Sequence, residues 1–133
     1  MKAMGALAMS LALSACSAER ATPSANDYGK IEIPEARLSS DAARDRGRRI
    51  YQQKCQLCHG EAADGNGARS KGLSRRPADF TSTDWRASVT PRFVFEVVSE
   101  GKRGTSMPAW PTLSSDQKWD VVAYVLSVAE DGP

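Results

Sequence analysis

Apolar side chains recur every three to four residues in three stretches of this chain, and that period predicts three helices. The first covers 40–54, where Ala43, Gly47, Ile50 and Tyr51 share a face and Ser40 or Asp41 supplies the starting cap. The second covers 91–99, with Thr90 as cap, Pro91 at the first helical position and Gly101 just past the end. Its apolar content is Phe93, Val94, Phe95, Val97 and Val98. The third covers about 115–129, opened by a capping box of Ser114 and Gln117. Val121, Val122, Val125 and Val128 form its stripe, flanked by Tyr124 and Leu126. Valine-rich runs also suit strands, but the length and the caps favour helix. Between His59 and Thr90 the chain is rich in Gly, Ser, Arg and Pro and reads as mostly loop. The fold class is therefore all-α. Gly47 in mid-helix costs about 1 kcal/mol relative to alanine, which points to another backbone crossing closely there.

The N-terminus has a different pattern. Met1-Lys2 is followed by an apolar run from Ala3 to Leu13, the layout of an export signal. The run is too short to span a bilayer, which takes roughly 20 residues. It ends in Leu13-Ser14-Ala15-Cys16, which resembles the bacterial lipoprotein processing box. That resemblance implies cleavage before Cys16 and lipid on its sulfur; an ordinary signal peptide leaving a stray thiol is the alternative. Several acyl chains together give a stable anchor where one is marginal. The expected organisation is a leader over 1–15, a lipid-anchored flexible tether over 16–38, and one small domain over 39–133. The tether carries Pro23, Asn26, Gly29 and Pro34 and shows no clear period. The expected location is outside the cytoplasmic membrane, on a membrane surface facing the periplasm or the cell exterior.

Charge adds little. With 18 basic and 16 acidic residues the chain is close to neutral, which argues against a nucleic-acid partner. Arg44, Arg46, Arg48 and Arg49 gather on the first helix, but Asp41 and Asp45 are interleaved. A solvated helix surface is the plainer reading and a docking patch the other.

Residues 55–59, Cys55-Gln56-Leu57-Cys58-His59, carry the chemistry. C-x-x-C-H is the attachment signature for c-type haem, with two thioethers holding the porphyrin and the histidine binding its iron. Two intervening residues let both sulfurs reach the vinyl groups on one edge of the ring, and the adjacent histidine turns under it. Rival readings are weaker. A thioredoxin-like motif needs a βαβ setting that neither flank suggests, and a structural zinc site wants four ligands. A plain disulfide would leave His59 idle. One motif implies one haem, with iron.

The remaining axial position decides between electron transfer and ligand chemistry. His59 is the only histidine, and Met1, Met4 and Met9 lie in the expected leader. Met107 is left, in a loop followed by Pro108, an odd place for a core gap-filler. Lys102 is the nearest lysine that would substitute for it, and an open iron site is the other alternative.

Taken together, 40–129 resembles a class I (monohaem) cytochrome c domain of bacterial type. Gly47 and Tyr51 precede the haem motif, Met107-Pro108 lies on a late loop, and Tyr124 on the last helix. In that family the first and last helices cross at the glycine, with the two aromatics beside the contact. Asp64-Gly65-Asn66-Gly67 and Arg76-Pro77-Ala78-Asp79-Phe80 resemble further bacterial segments, the latter covering a haem edge. The resemblance implies a small cytochrome c fold wrapped around covalent haem c, with Arg75 or Arg76 meeting a propionate. It implies a one-electron carrier working with redox-partner proteins, not an enzyme, in a respiratory or dehydrogenase-linked chain. Thr105 and Ser106 are candidates to hydrogen-bond the Met107 sulfur or the propionates, and Lys102 and Arg103 to contact an acidic partner. The alternatives are a small haem subunit of a larger oxidoreductase, a haem enzyme or gas-binding module, and a purely structural subunit.

Overall fold

The computed structural model describes residues 28–131, so Cys16, the leader and most of the expected tether lie outside the described residues. Among the described residues these helices stand in order: α1 Glu35–Leu38, α2 Asp41–Lys54, α3 Gln56–His59, α4 Thr83–Ser88, α5 Pro91–Glu100 and α6 Ser115–Asp131. A 3₁₀ turn at Ser70–Gly72 interrupts the long loop, and no strand occurs among the described residues. None of these helices is long and apolar enough to cross a membrane.

The caps explain the boundaries. Ser40 Oγ accepts from the Ala43 amide at the start of α2, and Thr90 Oγ1 accepts from the Phe93 amide at the start of α5. Ser114 and Gln117 form both halves of a capping box, at 2.9 and 3.2 Å, and α6 begins there. The loop expected between His59 and Thr90 contains one more helix. Ser82 Oγ accepts from the Trp85 amide and opens α4, too short for its period to show.

Helix α6 is the centre of the molecule. It touches α1, α2, α4 and α5, which is why apolar residues are buried around much of its circumference rather than along one stripe. Val121, Val122, Val125 and Leu126 are buried, while Val128 lies at the edge, so Leu126 belongs to the core rather than to its flank. Full burial of each such side chain contributes about 1.5–3 kcal/mol.

The crossing of α2 over α6 is steric. A Cβ on Gly47 would stand 1.9 Å from the Asp120 carbonyl oxygen and 2.9 Å from the Tyr124 Cβ. Tyr51 and Tyr124 pack beside it with ring centroids 5.1 Å apart. The same turn of α6 carries an ionic cluster. The Asp120 side chain, 4% exposed, accepts from Arg46 Nε at 2.8 Å and from Arg37 at 2.9 Å. Arg44 reaches Glu130 and Arg48 reaches Asp45, so most of the expected basic patch is paired within the chain.

One boundary differs from the sequence reading. Residues 28–38, expected as tether, pack on the domain: Tyr28 is buried, and Ile31, Ile33 and Leu38 lie against the core. Arg92 Nε donates to the Ile31 carbonyl at 2.8 Å, and Arg37 joins α1 to α6. The segment lacks a period because it docks as an irregular strip, held by single contacts. The domain therefore begins by Tyr28, not at residue 39.

Two outcomes follow. Gly47→Ala should lower stability by about 3 kcal/mol in denaturant titration, since backbone must move to admit the methyl; a loss below about 0.5 kcal/mol would contradict so close a crossing. Desolvation pushes the Asp120 carboxyl upward, but hydrogen bonds from Arg46 and Arg37 outweigh it and hold the group below its ordinary value. Its stabilising contribution is thus complete above the unfolded value of about 3.9 and is lost as pH falls through the folded pKa. Asp120→Asn should cost about 2 kcal/mol at pH 7, tempered by the partly exposed arginines, and should flatten the acid limb of the stability profile.

Candidate haem site

Helix α2 ends at Lys54, and Cys55, as the C-cap, turns the chain into the single turn α3. This places Cys55 and Cys58 three residues apart around one turn, with His59 closing it. The chain then folds back over the end of α3. The amides of Gly65, Gly67 and Arg69 donate to the carbonyls of His59, Cys58 and Leu57, at 2.7, 3.2 and 2.9 Å. Those carbonyls are the unpaired end of a helix, so the Asp64–Gly67 segment serves as its cap. Tyr51 Oη adds a 2.7 Å bond to the Gly60 carbonyl, joining α2 to the turn after His59.

His59 is fixed on two sides. Its Nδ1 lies 3.1 Å from the Ala78 carbonyl, and its ring stacks on Phe80 at 4.6 Å and 15°. With the proton on Nδ1 donated to Ala78, Nε2 keeps the lone pair that binds metal. Burial lowers the His59 pKa, outweighing the Ala78 bond that raises it, and favours the neutral, metal-binding form. Phe80 in turn leans on Trp85 at 4.7 Å and on Tyr51 at 6.2 Å.

Beside this turn lies a mainly apolar cavity of about 290 Å³. Cys55, Cys58 and His59 line it from α3, Val94, Val97 and Val98 from α5, Val121 and Val125 from α6. Met107 and Pro108 line it from the loop between α5 and α6, 48 residues beyond His59. That loop has its own scaffold. Gly101 has φ +74°, and a Cβ there would stand 2.7 Å from the Met107 carbonyl oxygen. The Lys102 amide donates to that oxygen at 3.1 Å, and Thr105 Oγ1 accepts from the Met107 amide at 3.1 Å. Thr105 also donates to the Lys102 carbonyl at 2.7 Å. Its hydroxyl bonds the loop's own backbone, where the sequence reading had offered it to the Met107 sulfur or the propionates.

Of the predicted site residues, Cys55, Cys58, His59, Met107, Arg75 and Arg76 line one cavity, while Cys16 lies outside the described residues. Arg75 and Arg76 line it, but Arg76 is exposed and donates to Asn66 Oδ1 at 2.7 Å. Asp64 holds Asn66 in turn, through its amide and side chain. Sequence reasoning missed Phe80 and Trp85 as the wall behind His59. The Ala78-Asp79-Phe80 run was a partial signal for the first; Trp85 sits on the short helix that left none.

The rival chemistries find no support here. Among the described residues no cluster of three or more His, Cys, Asp or Glu is placed to hold a metal ion. Cys55 and Cys58 are not bonded to each other, and no βαβ unit surrounds them. Burial pushes the Cys55 thiol up to about 11, which disfavours a reactive thiolate there.

The family model for cytochrome c oxidase, cbb3-type, subunit III, matches residues 42–125. The chain belongs to this family. It is a monohaem class I cytochrome c domain, with haem c and iron as its cofactor, and its role is electron transfer. No curated protein matches the sequence. A solved structure of the Kuenenia stuttgartiensis reducing HAO-like protein complex Kustc0457/Kustc0458 is similar, with a TM-score of 0.61 and 28% identity. The match covers 67% of this chain and 44% of that one, so the chain spans under half of its length. The donor set fits the cofactor: two thiols on one turn, a neutral imidazole beside them, and a thioether on a loop facing the same apolar space.

Gly101→Ala should cost about 1–2 kcal/mol by forcing a side chain into left-handed backbone against the Met107 carbonyl. Thermal unfolding of the holoprotein measures it, and an unchanged midpoint would show that the loop does not need this geometry.

Proposed function

We propose that this cytochrome c domain is a membrane-tethered one-electron carrier, its haem attached through Cys55 and Cys58 and held axially by His59 and Met107. The observation that carries this reading is that one apolar cavity is lined by all four residues, from elements far apart in the chain. When bound, the haem would supply one-electron chemistry between ferric and ferrous iron, with His59 and Met107 as the residues that would hold the iron.

The protein's part is to hold and to insulate. Phe80 and the Ala78 carbonyl fix the plane of His59. The Gly101–Met107 loop fixes the thioether, so neither ligand needs to move when the charge changes. Val94, Val98, Val121 and Val125 exclude water, which disfavours the extra positive charge of the oxidised state and raises the potential. Arg75 lines the cavity and is the residue we assign to a propionate, with Arg76 bonded to Asn66 beside it. Leu57 and Phe93 remain 46% and 42% exposed, large apolar side chains on the haem-binding turn and at the cavity mouth. Lys102 Nζ lies 5.9 Å over the Phe93 ring and gives that mouth a positive rim for an acidic partner.

The upstream sequence supports a leader over 1–15, lipid on Cys16 and a location outside the cytoplasmic membrane, on a surface facing the periplasm or the cell exterior. A respiratory or dehydrogenase-linked chain is the setting this implies. A second reading, a haem subunit fixed in a larger oxidoreductase, is favoured by the neighbour's membership of a protein complex. Co-purification of a stoichiometric partner from native membranes would select it; a free monomer would select the carrier.

Two experiments test the proposal. Met107→Ala should give a haem that binds carbon monoxide readily, with an altered absorption spectrum; an unchanged spectrum removes Met107 from the iron. Cys16→Ser should move the protein from the membrane to the soluble fraction after export, and retention on the membrane would refute the lipid anchor.

A further inference from the structure

We propose that Tyr28 is a positioning residue for the Met107 loop, clasping the end of α5 from which that loop departs. The inference rests on the reading of Met107 as an iron ligand. Tyr28 is 5% exposed, although it lies 13 residues before α2, the helix that leads into the haem-binding turn. Its hydroxyl donates to Glu100 Oε1, and its ring meets Phe95 at 6.3 Å. Glu100 is the last residue of α5, and the next two residues begin the loop.

The contacts form a short mechanical path. Tyr28 holds Glu100; Gly101 follows, where a Cβ would stand 2.7 Å from the Met107 carbonyl oxygen; and the Lys102 amide donates to that oxygen at 3.1 Å. On the other side of the same turn, the Trp110 amide donates to the Val98 carbonyl at 3.0 Å. The loop is thus stitched to the last turn of α5 at both ends, and that turn is itself held by the Tyr28 strip. Arg92 Nε, donating to Ile31, and the Ile31 amide, donating to the Tyr28 carbonyl, fix the strip. Burial, and then the Glu100 carboxylate, push the Tyr28 phenol up to about 12, so it remains a donor at neutral pH.

A merely structural role would weaken the whole fold evenly. A positioning role opens this loop selectively. The discriminating experiment uses the full-length ferric holoprotein carrying Tyr28→Phe, Tyr28→Ala or Arg37→Ala. The last removes a different attachment of the same strip, the pairing of Arg37 with Asp120 and Asp116 on α6 rather than with α5. Two quantities are read: the rate at which imidazole displaces the native axial ligand, and hydrogen exchange of the Lys102 amide. Losing one hydrogen bond should raise both about fivefold in Tyr28→Phe, and losing the ring as well should raise them more than tenfold in Tyr28→Ala. Arg37→Ala should leave both within twofold of the parent. Rates within twofold of the parent in both Tyr28 variants would overturn the proposal, as would equal acceleration in Arg37→Ala. Should Met107→Ala show that the methionine is not a ligand, the Lys102 amide still decides the clasp, because its bond goes to the Met107 carbonyl. Should Tyr28→Ala not fold, Tyr28→Phe carries the test alone.

Discussion

The contact between Gly47 and the Asp120 carbonyl sets the geometry of everything else. Two helix backbones meet there with no side chain between them, and only glycine allows it. That closeness brings Tyr51 against Tyr124 on one side. On the other it brings Arg46 onto Asp120. Helix α2 delivers Cys55 at its end, and α6 delivers Val121 and Val125 to the same cavity. The crossing therefore fixes where the haem-binding turn stands relative to the apolar wall opposite.

A small domain built around a plate-shaped cofactor has to solve a second problem, which is holding ligands on segments with little secondary structure. The chain does so with backbone hydrogen bonds. Carbonyls left open at the end of α3 are capped by the returning Asp64–Gly67 loop, and Ala78 takes the proton of His59. The Met107 loop closes on itself through Thr105 and Lys102. Each proposed ligand is thus fixed by local chemistry, and the core has only to bring the two segments together. Charge follows the same economy. The arginines of α2 mostly find carboxylates on α6 or within α2, so the near-neutral chain spends its ions on helix packing.

The main features were legible in sequence because each has a local cause. Caps at Ser40, Thr90 and Ser114 mark helix starts wherever they occur, and C-x-x-C-H requires no tertiary context. Gly47 was legible because a mid-helix glycine has a cost that only a close approach offsets. What escaped has no local cause. Tyr28–Leu38 docks through Glu100, Arg92 and Asp120, residues more than 60 positions away, and no period records such contacts. Helix α4 is six residues long, below the length at which periodicity can be read, and Trp85 went unnoticed with it. The backbone bonds of Thr105 escaped for the same reason: whether a hydroxyl faces a sulfur or its own backbone depends on loop geometry alone.

The central claim is that a histidine and a methionine close the two faces of the iron, leaving no site for a substrate. Proton NMR of the ferrous holoprotein tests it most directly, since Met107 is the sole methionine beyond the expected leader. The account predicts a diamagnetic spectrum with one methionine methyl displaced far upfield by the porphyrin ring current. A methyl at its ordinary position, or a paramagnetic ferrous spectrum, would contradict it.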